Sequence, residues 1–344
     1  MYKLILFIVL SLFVNAEAAL HIENLKDRPY IKVAGSSTVF PFVALAAEQF
    51  SSISSFPTPV IESIGSGAGF KMFCMGVGSG TSDIATSSRR MKDVERQLCE
   101  KNQVKEITEV IIGHDGIVIV NSKNNNQFDF TTRELFTALS TYSFSDEDKL
   151  IKNSKKTWSD INLRFPKSEI EIYGPYKNTG TYDVLIDMLM INSCMHLKPF
   201  VESYEKYDER KKACSTIRDD GKYIEVGINE NIIIQKLKSN QNAFGIFGFS
   251  FLERNKDKVQ GSMIAGIEPT YENISSGKYT LNRPLYLYIK RDHINIIPGL
   301  KDFIKEVTSP AAIGTNGYLS RLGLIPLKEE EIKRVQNEIT KIVT

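Results

Sequence analysis

The strongest constraint on this chain is a local pattern that repeats: a β-prone run, a turn of Gly, Ser and Thr, then apolar residues at helical spacing. Tyr30 to Ala34 reads as a strand, Gly35-Ser36-Ser37-Thr38 as its turn and Phe42 to Phe50 as the helix that follows. Val60 to Ile64, Gly65-Ser66-Gly67-Ala68-Gly69 and the run from Phe70 repeat the order, as do Glu169 to Gly174, Asn178-Thr179-Gly180-Thr181 and Tyr182 to Ile191. A fourth turn, Ser87-Ser88-Arg89, follows a strand end at Asp83 to Ala85. Strand, small-residue turn and helix in succession imply βα units around a largely parallel sheet.

The 344 residues suffice for two domains, each burying its own core. Glu109 to Val120 is a strong β run, expected to break at Gly113-His114-Asp115-Gly116. Residues 121–283 hold their own strands, among them Ala243 to Gly248. Pro284 to Lys290 then alternates like another strand, ahead of helices expected over 299–308 and 328–341. The second unit therefore reads as an insertion into the first, with 19–115 and 284–344 forming lobe I and 116–283 lobe II. Two chain crossings suit a hinged pair of lobes with a ligand cleft between them.

Residues 1–18 read as a cleaved export signal. Lys3 supplies the positive start, Leu4 to Val14 the apolar stretch and Ala16-Glu17-Ala18 a small-x-small cleavage site. The stretch is about eleven residues, too short for a membrane span of about 20. No Cys follows it to carry a lipid. Export makes disulfides expected among Cys74, Cys99, Cys194 and Cys214. Four cysteines allow three connectivities; the local pairs Cys74–Cys99 and Cys194–Cys214 are favoured because each closes a short loop inside one lobe. A zinc site needs closer Cys or His spacing than these positions have.

Helix N-termini expose N–H groups and a positive partial charge. Glycine lets a ligand approach the backbone, and Ser or Thr adds a hydroxyl donor, so such turns cradle anions. Any one of them is more simply a helix cap. Several at the carboxyl ends of strands, where open α/β sheets bind ligands, point to one tetrahedral oxyanion held by neutral dipoles and an arginine. Lys plus Arg total 43 against 41 for Asp plus Glu, a net +2 that gives no reason to expect a nucleic-acid or polybasic membrane surface. The anion site must then be local.

Enzyme signatures are missing. The chain has no G-x-x-x-x-G-K-[ST] loop, no G-x-G-x-x-G and no G-x-S-x-G elbow. His21, His114, His196 and His293 are scattered. His114 beside Asp115 is best read as a structural turn histidine, and Asn273-Ile274-Ser275 is only a formal glycosylation sequon.

With these residues in view, the chain resembles the phosphate-binding proteins of the Pst-type ABC transporter, over about 30–327. Gly35-Ser36-Ser37-Thr38-Val39-Phe40-Pro41 is similar to that family's first phosphate turn, and Gly65-Ser66-Gly67-Ala68-Gly69 to the second. Asp83-Ile84-Ala85 through Ser88-Arg89 is similar to the third. Ile172-Tyr173-Gly174-Pro175 leading to Thr179-Gly180-Thr181 resembles the turn of the second lobe. Gly245 to Phe249 and Arg283-Pro284-Leu285-Tyr286 are further family-like segments. The resemblance implies a two-lobed type II periplasmic-binding fold of α/β class that closes on phosphate. It also implies a monomer without cofactor or catalytic residue, exported to the periplasm, that delivers phosphate to the permease subunits of an ABC importer. Carried over by position, Ser37, Thr38, Ser66, Gly67, Ser88, Arg89, Thr179, Gly180 and Thr181 would be the ligands.

Two departures stand out. Where some family members have an Asp that accepts the proton of phosphate, and so refuses sulfate, this chain has Ser88; Asp83 and Asp183 are the candidate acceptors or supports. Tyr182 stands near where an Arg is usual, which leaves Arg89 as the main cation, with Arg90, Arg133 or Arg218 as helpers. The competing readings are a receptor for sulfate or molybdate, and a secreted phosphatase on the same fold.

Overall fold

The structure, a computed structural model, describes residues 28–177, 179–227 and 229–344; the export signal expected at 1–18 and the turn residue Asn178 lie outside them. The chain divides into two compact units. One takes in the described chain up to Gly113, Pro284–Leu322 and Pro326–Thr344, and the other His114–Arg283 with Gly323–Ile325. The short segment Gly323–Ile325, expected in lobe I, thus belongs with the second unit. There it is tied by a bridge in which His114 N–H donates to Ile325 O at 2.8 Å and Ile325 N–H to His114 O at 2.9 Å. The same bridge explains why Gly113-His114-Asp115-Gly116 is no break: with its amides paired, Ile107–Ser122 continues as one strand.

In the first unit Lys32–Gly35 lies between Val60–Ser63 and Ile84–Ser87, parallel to both. Asn282–Lys290 adds antiparallel to Ile84–Ser87, pairing Tyr286 with Ser87 and Ile289 with Ile84. The helices Phe40–Ile53 and Ser66–Phe73 follow the first two strands. Phe42, Val43, Ala46, Ala47 and Phe50 form the buried stripe of the former, at the three- and four-residue spacing of an amphipathic helix. Phe70 packs edge-on against Tyr288 with ring centres 4.9 Å apart, and Cys74, Cys99, Met91 and Val104 complete that cluster.

In the second unit Ile172–Pro175 lies between Tyr223–Val226 and Phe244–Gly248, parallel to both. Phe244–Gly248 pairs antiparallel with Ile107–Ser122, which also receives Val259–Gly261. Tyr223–Val226, with only four residues and no flanking alternation, is a strand the sequence did not announce. Trp158, Phe130, Phe165, Phe128 and Phe244 form an aromatic core, each ring contributing roughly 1.5–3 kcal/mol by burial. The disulfides join Cys74 to Cys99 and Cys194 to Cys214, closing the two short loops expected. No helix among the described residues is long and apolar enough to cross a membrane.

Two glycines set how closely helix and sheet meet in the first unit. A Cβ on Gly35 would lie 2.0 Å from Thr86 O, and one on Gly69 would lie 2.5 Å from Gly35 Cα. The Ser66–Phe73 helix therefore rests directly on the backbone at the end of Lys32–Gly35, a distance that admits no side chain. Gly69→Ala is expected to force the helix outward and cost about 1–3 kcal/mol, the usual penalty of overpacking. A urea denaturation midpoint equal to the parent's would show that the contact is softer than this geometry implies.

Candidate functional site

Three of the four turns come together in the first unit through their own backbones. Gly35 O accepts from Ile64 N–H at 3.0 Å and from Gly65 N–H at 2.8 Å, which ties the first turn to the second. Ser36 N–H donates to Thr86 O at 3.0 Å, which ties the first to the strand leading into the third. Ser66 Oγ accepts from Ser88 N–H at 3.3 Å and lies 3.5 Å from Ser88 Oγ, which ties the second to the third. The helix-capping alternative fails at the second turn. Its N-cap is Gly65, at φ +84°, and no side chain caps the helix, so the Ser66 hydroxyl serves Ser88 instead. In the first turn Ser36 and Thr38 are buried and Ser37 is exposed; Thr38 N–H donates to Ser36 Oγ at 3.2 Å.

The third turn is shaped by Ser87. Its hydroxyl accepts from Arg89 N–H at 3.2 Å and donates to Arg89 O at 2.6 Å, a local side-chain–backbone turn. It presents Arg89 beside the second turn: a Cβ on Gly67 would lie 3.8 Å from Arg89 Nη2, and the guanidinium sits 5.4 Å from the Phe70 ring centre. Arg89 is held in a two-point grip by Glu95, which sequence reasoning missed. Nη1 donates to Glu95 Oε2 at 2.8 Å and Nη2 to Oε1 at 2.6 Å. Lys92 N–H adds a bond to Oε2 at 2.8 Å. Burial pushes the Glu95 carboxyl up, but the Arg89 guanidinium and the Lys92 N–H outweigh it and hold the carboxyl below its ordinary value. The one signal available was an acid in the first turn of the next helix, Asp93–Lys101.

Asp83 is not a free acceptor. It is fully buried, and both oxygens are taken: Oδ1 by Arg28 and by His293 Nδ1 at 2.6 Å, Oδ2 by Lys32 N–H at 2.7 Å. Close by, buried Lys290 donates to Gly76 O at 2.6 Å and Thr81 Oγ1 at 2.7 Å. The pair of networks secures the segment before Ile84–Ser87 and has no oxygen left for a ligand. Arg90 points away from the turns to Glu109, at 3.1 Å, and is 68% exposed.

The second unit gathers a different set at one end of its sheet. Thr179 is a helix cap: its hydroxyl accepts from Tyr182 N–H at 3.2 Å and donates to Tyr176 O at 2.8 Å. Its hydroxyl is thus engaged by neighbouring backbone on both sides. Gly180 and Thr181 open the helical run, which passes from α-helix (Gly180–Val184) to π-helix (Leu185–Ile191). From the π segment Asp187 Oδ2 accepts from Arg283 Nη1 at 3.2 Å, and Arg283 Nε lies 3.8 Å from Asp115 Oδ2. Glu230, which precedes the Asn231–Ser239 helix, accepts from Gly248 N–H at 3.2 Å. Burial raises both the Asp115 and the Glu230 carboxyl. Arg283 and the Gly116 N–H act against it at Asp115, and the Asp183 charge acts with it. At Glu230 the Gly248 N–H and Arg254 act against burial, and Asp115 with it.

Neither of the helper arginines expected in this unit is available. Arg218 is buried and spent on Asp220, Ala138 O and Lys155 O. Arg133 pairs with Asp148 and lies 4.1 Å from the Phe144 ring centre. Arg283, whose sequence surroundings gave no sign of such pairing, is instead the arginine that meets Asp115 and Asp187 in this unit. His114 is buried, with its backbone in the ladder rather than in a turn.

Residues 23–311 match the PBP superfamily domain, which makes the chain a periplasmic-binding-type protein. A phosphate-binding protein PstS of Staphylococcus haemolyticus is 31% identical over 281 residues, covering 80% of this chain and 75% of that protein. The chain belongs to the PstS family of phosphate-binding proteins. Another member, from Staphylococcus saprophyticus, is 27% identical and covers 92% of this chain and 86% of its own. In fold, the chain is similar to the crystal structure of a possible phosphate-binding protein from Planctomyces limnophilus. That likeness has a TM-score of 0.71 at 23% identity and covers 92% of this chain and 99% of that one. These relatives share the type II periplasmic-binding fold, of mixed α/β class.

Because the folded Glu95 carboxyl titrates below its ordinary value, the stability it contributes is complete above the ordinary carboxylate range and is lost as pH falls through the folded pKa. Glu95→Gln is expected to destabilise by about 1 kcal/mol at neutral pH, allowing for the partial exposure of the pair. The parent–variant difference should shrink towards zero in acid. A pH-independent difference in unfolding free energy would contradict this.

Proposed function

We propose that this chain binds inorganic phosphate outside the cytoplasmic membrane and delivers it to the permease of an ABC importer, with no chemical step of its own. The observation that carries the reading is the convergence of Ser66-Gly67, Ser88-Arg89 and the Gly35–Thr38 turn on one another, in a chain whose family is named for phosphate binding. Hydroxyls, helix N–H groups and one guanidinium suit a small tetrahedral oxyanion, and charge-assisted bonds contribute roughly 1.5–3 kcal/mol each. The residues assigned to phosphate are Ser37, Thr38, Ser66, Gly67, Ser88 and Arg89 from the first unit. In the second unit the turn assigned to anion binding is Thr179-Gly180-Thr181. The export signal read at residues 1–18 supports delivery outside the membrane.

The acceptor for the proton that phosphate keeps at neutral pH is assigned to Asp115. Asp83 is consumed by Arg28, Lys32 and His293, whereas Asp115 Oδ2 is buried with no hydrogen-bond partner among the described residues. Burial that raises its pKa also makes it a stronger acceptor. Sulfate has no proton to offer such a carboxylate and is repelled by it. Asp183, the earlier candidate, contributes its charge to Asp115.

Calorimetric titration of phosphate-stripped protein is expected to give phosphate binding at micromolar Kd or tighter, about −8 kcal/mol or better, with sulfate at least about tenfold weaker. Arg89→Ala should weaken phosphate by more than about tenfold, or 1.4 kcal/mol. Equal binding of the two anions would overturn the assignment of phosphate. For Asp115→Asn the expectation is a fall of about tenfold for phosphate with sulfate unchanged or improved. A parallel loss of both anions would make Asp115 structural instead.

A further inference from the structure

Ser66 and Gly67 open the Ser66–Phe73 helix, and Cys74 stands at its far end as the C-cap residue. Glu95 and Cys99 lie four residues apart on the Asp93–Lys101 helix, so they share one face of it. The Cys74–Cys99 disulfide joins the end of the first helix to that face. The junction is close at three points. Both half-cystines are fully buried, Cys74 Sγ lies 3.4 Å from Glu95 O, and Asn102 Nδ2 donates to Cys74 O at 2.7 Å. A closed ring of contacts results. It runs from Ser66 to Ser88 and Arg89, through the two-point grip of Glu95, one turn along to Cys99, across the disulfide to Cys74, and back down the helix to Ser66.

We propose that the Cys74–Cys99 disulfide and Glu95 are positioning elements of the anion site, fixing where the Arg89 guanidinium points relative to Ser66 and Gly67. This rests on the reading that phosphate is the ligand. A planar guanidinium on a flexible stem loses entropy when it is held, and bonds that hold it before the ligand arrives move that loss from binding to folding. Glu95 is the holding group, and its own location depends on the helix to which the disulfide is attached. The other disulfide lacks this geometry: Cys194 is fourteen residues beyond Gly180 along its helical run, not one turn from a residue that grips a ligand group.

The test is phosphate calorimetry on a cycle of four proteins: the parent, C74S/C99S, Arg89→Met and the combination, with C194S/C214S as control. Disulfide loss is expected to weaken phosphate about tenfold when Arg89 is present and less than about twofold when it is Met. C194S/C214S should lower the melting temperature and leave phosphate Kd within about twofold of the parent. An equal loss in both Arg89 backgrounds, or none in either, overturns the proposal, since a merely structural bridge would not know whether Arg89 is there. If C74S/C99S is unfolded at the assay temperature, C74A/C99V, which refills the buried volume, takes its place in the same cycle. Should that pair also unfold, the bridge is holding the unit together and the positioning role is refuted. Failure of the parent to bind phosphate would instead overturn the ligand assignment and leave the ring of contacts standing.

Discussion

The first unit depends on one backbone contact, the seating of Gly69 on Gly35. A helix resting on the end of a strand at that distance has its N-terminus fixed relative to the strand's last carbonyl. Gly35 O then captures the amides of Ile64 and Gly65 just ahead of it. The next strand, Ile84–Ser87, is brought against the same glycine through Ser36 N–H and Thr86 O, so its own turn arrives beside Ser66. Three turns that are distant in sequence become neighbours because two positions carry no Cβ. The hydroxyls and amides that face one another there follow from that seating.

Under the proposed assignment, charge around these turns is arranged for orientation more than for attraction. Among the described residues Arg89 is the guanidinium beside the turns, and Glu95 pairs with it. Two unit charges 4 Å apart interact by about 4 kcal/mol at an effective dielectric of 20. A carboxylate this near therefore lowers the pull on an incoming anion, and a lone arginine would attract more strongly. It would also sample many rotamers and pair with whatever carboxylate lay closest. The arrangement fits a chain whose charges balance to +2 overall: capture as proposed would rely on many fixed dipoles, with the paired arginine adding direction.

What could be read from the sequence follows from how local each cause is. The glycines, serines and threonines of the turns were legible because each acts within a few residues of itself, by backbone freedom or by capping. The strand and helix order of both units, and the local disulfides, were legible for the same reason. Thr179 shows the limit, since capping and ligand binding demand the same residue type, and only the structure shows that its hydroxyl caps the helix. The pairings of Glu95, Asp115 and Arg283 were not legible. Their roles are pairings across gaps of 6, 168 and 96 residues (Arg89–Glu95, Asp115–Arg283 and Asp187–Arg283). Gly113-His114-Asp115-Gly116 looked like a turn because glycine usually marks one; a bridge to Ile325, more than two hundred residues away, keeps it extended.

The two buried aspartates show why burial alone does not define an acceptor. Asp83 is the more deeply buried, yet Arg28, His293 and the Lys32 amide satisfy its charge completely, and a ligand proton would have to displace one of them. Removing a partner from a satisfied buried carboxylate is expensive, so such a residue is structural. Asp115 has one cation at 3.8 Å, the Asp183 carboxylate that disfavours its charge, and an oxygen without a hydrogen bond among the described residues. Burial and the Asp183 charge act against its ionised form, and a hydrogen-bond donor brought by a ligand would act in favour of it. A phosphate proton is such a donor and a sulfate oxygen is not, so under the assignment proposed for Asp115 discrimination between two anions of nearly the same shape would follow from a carboxylate that the fold leaves incompletely satisfied.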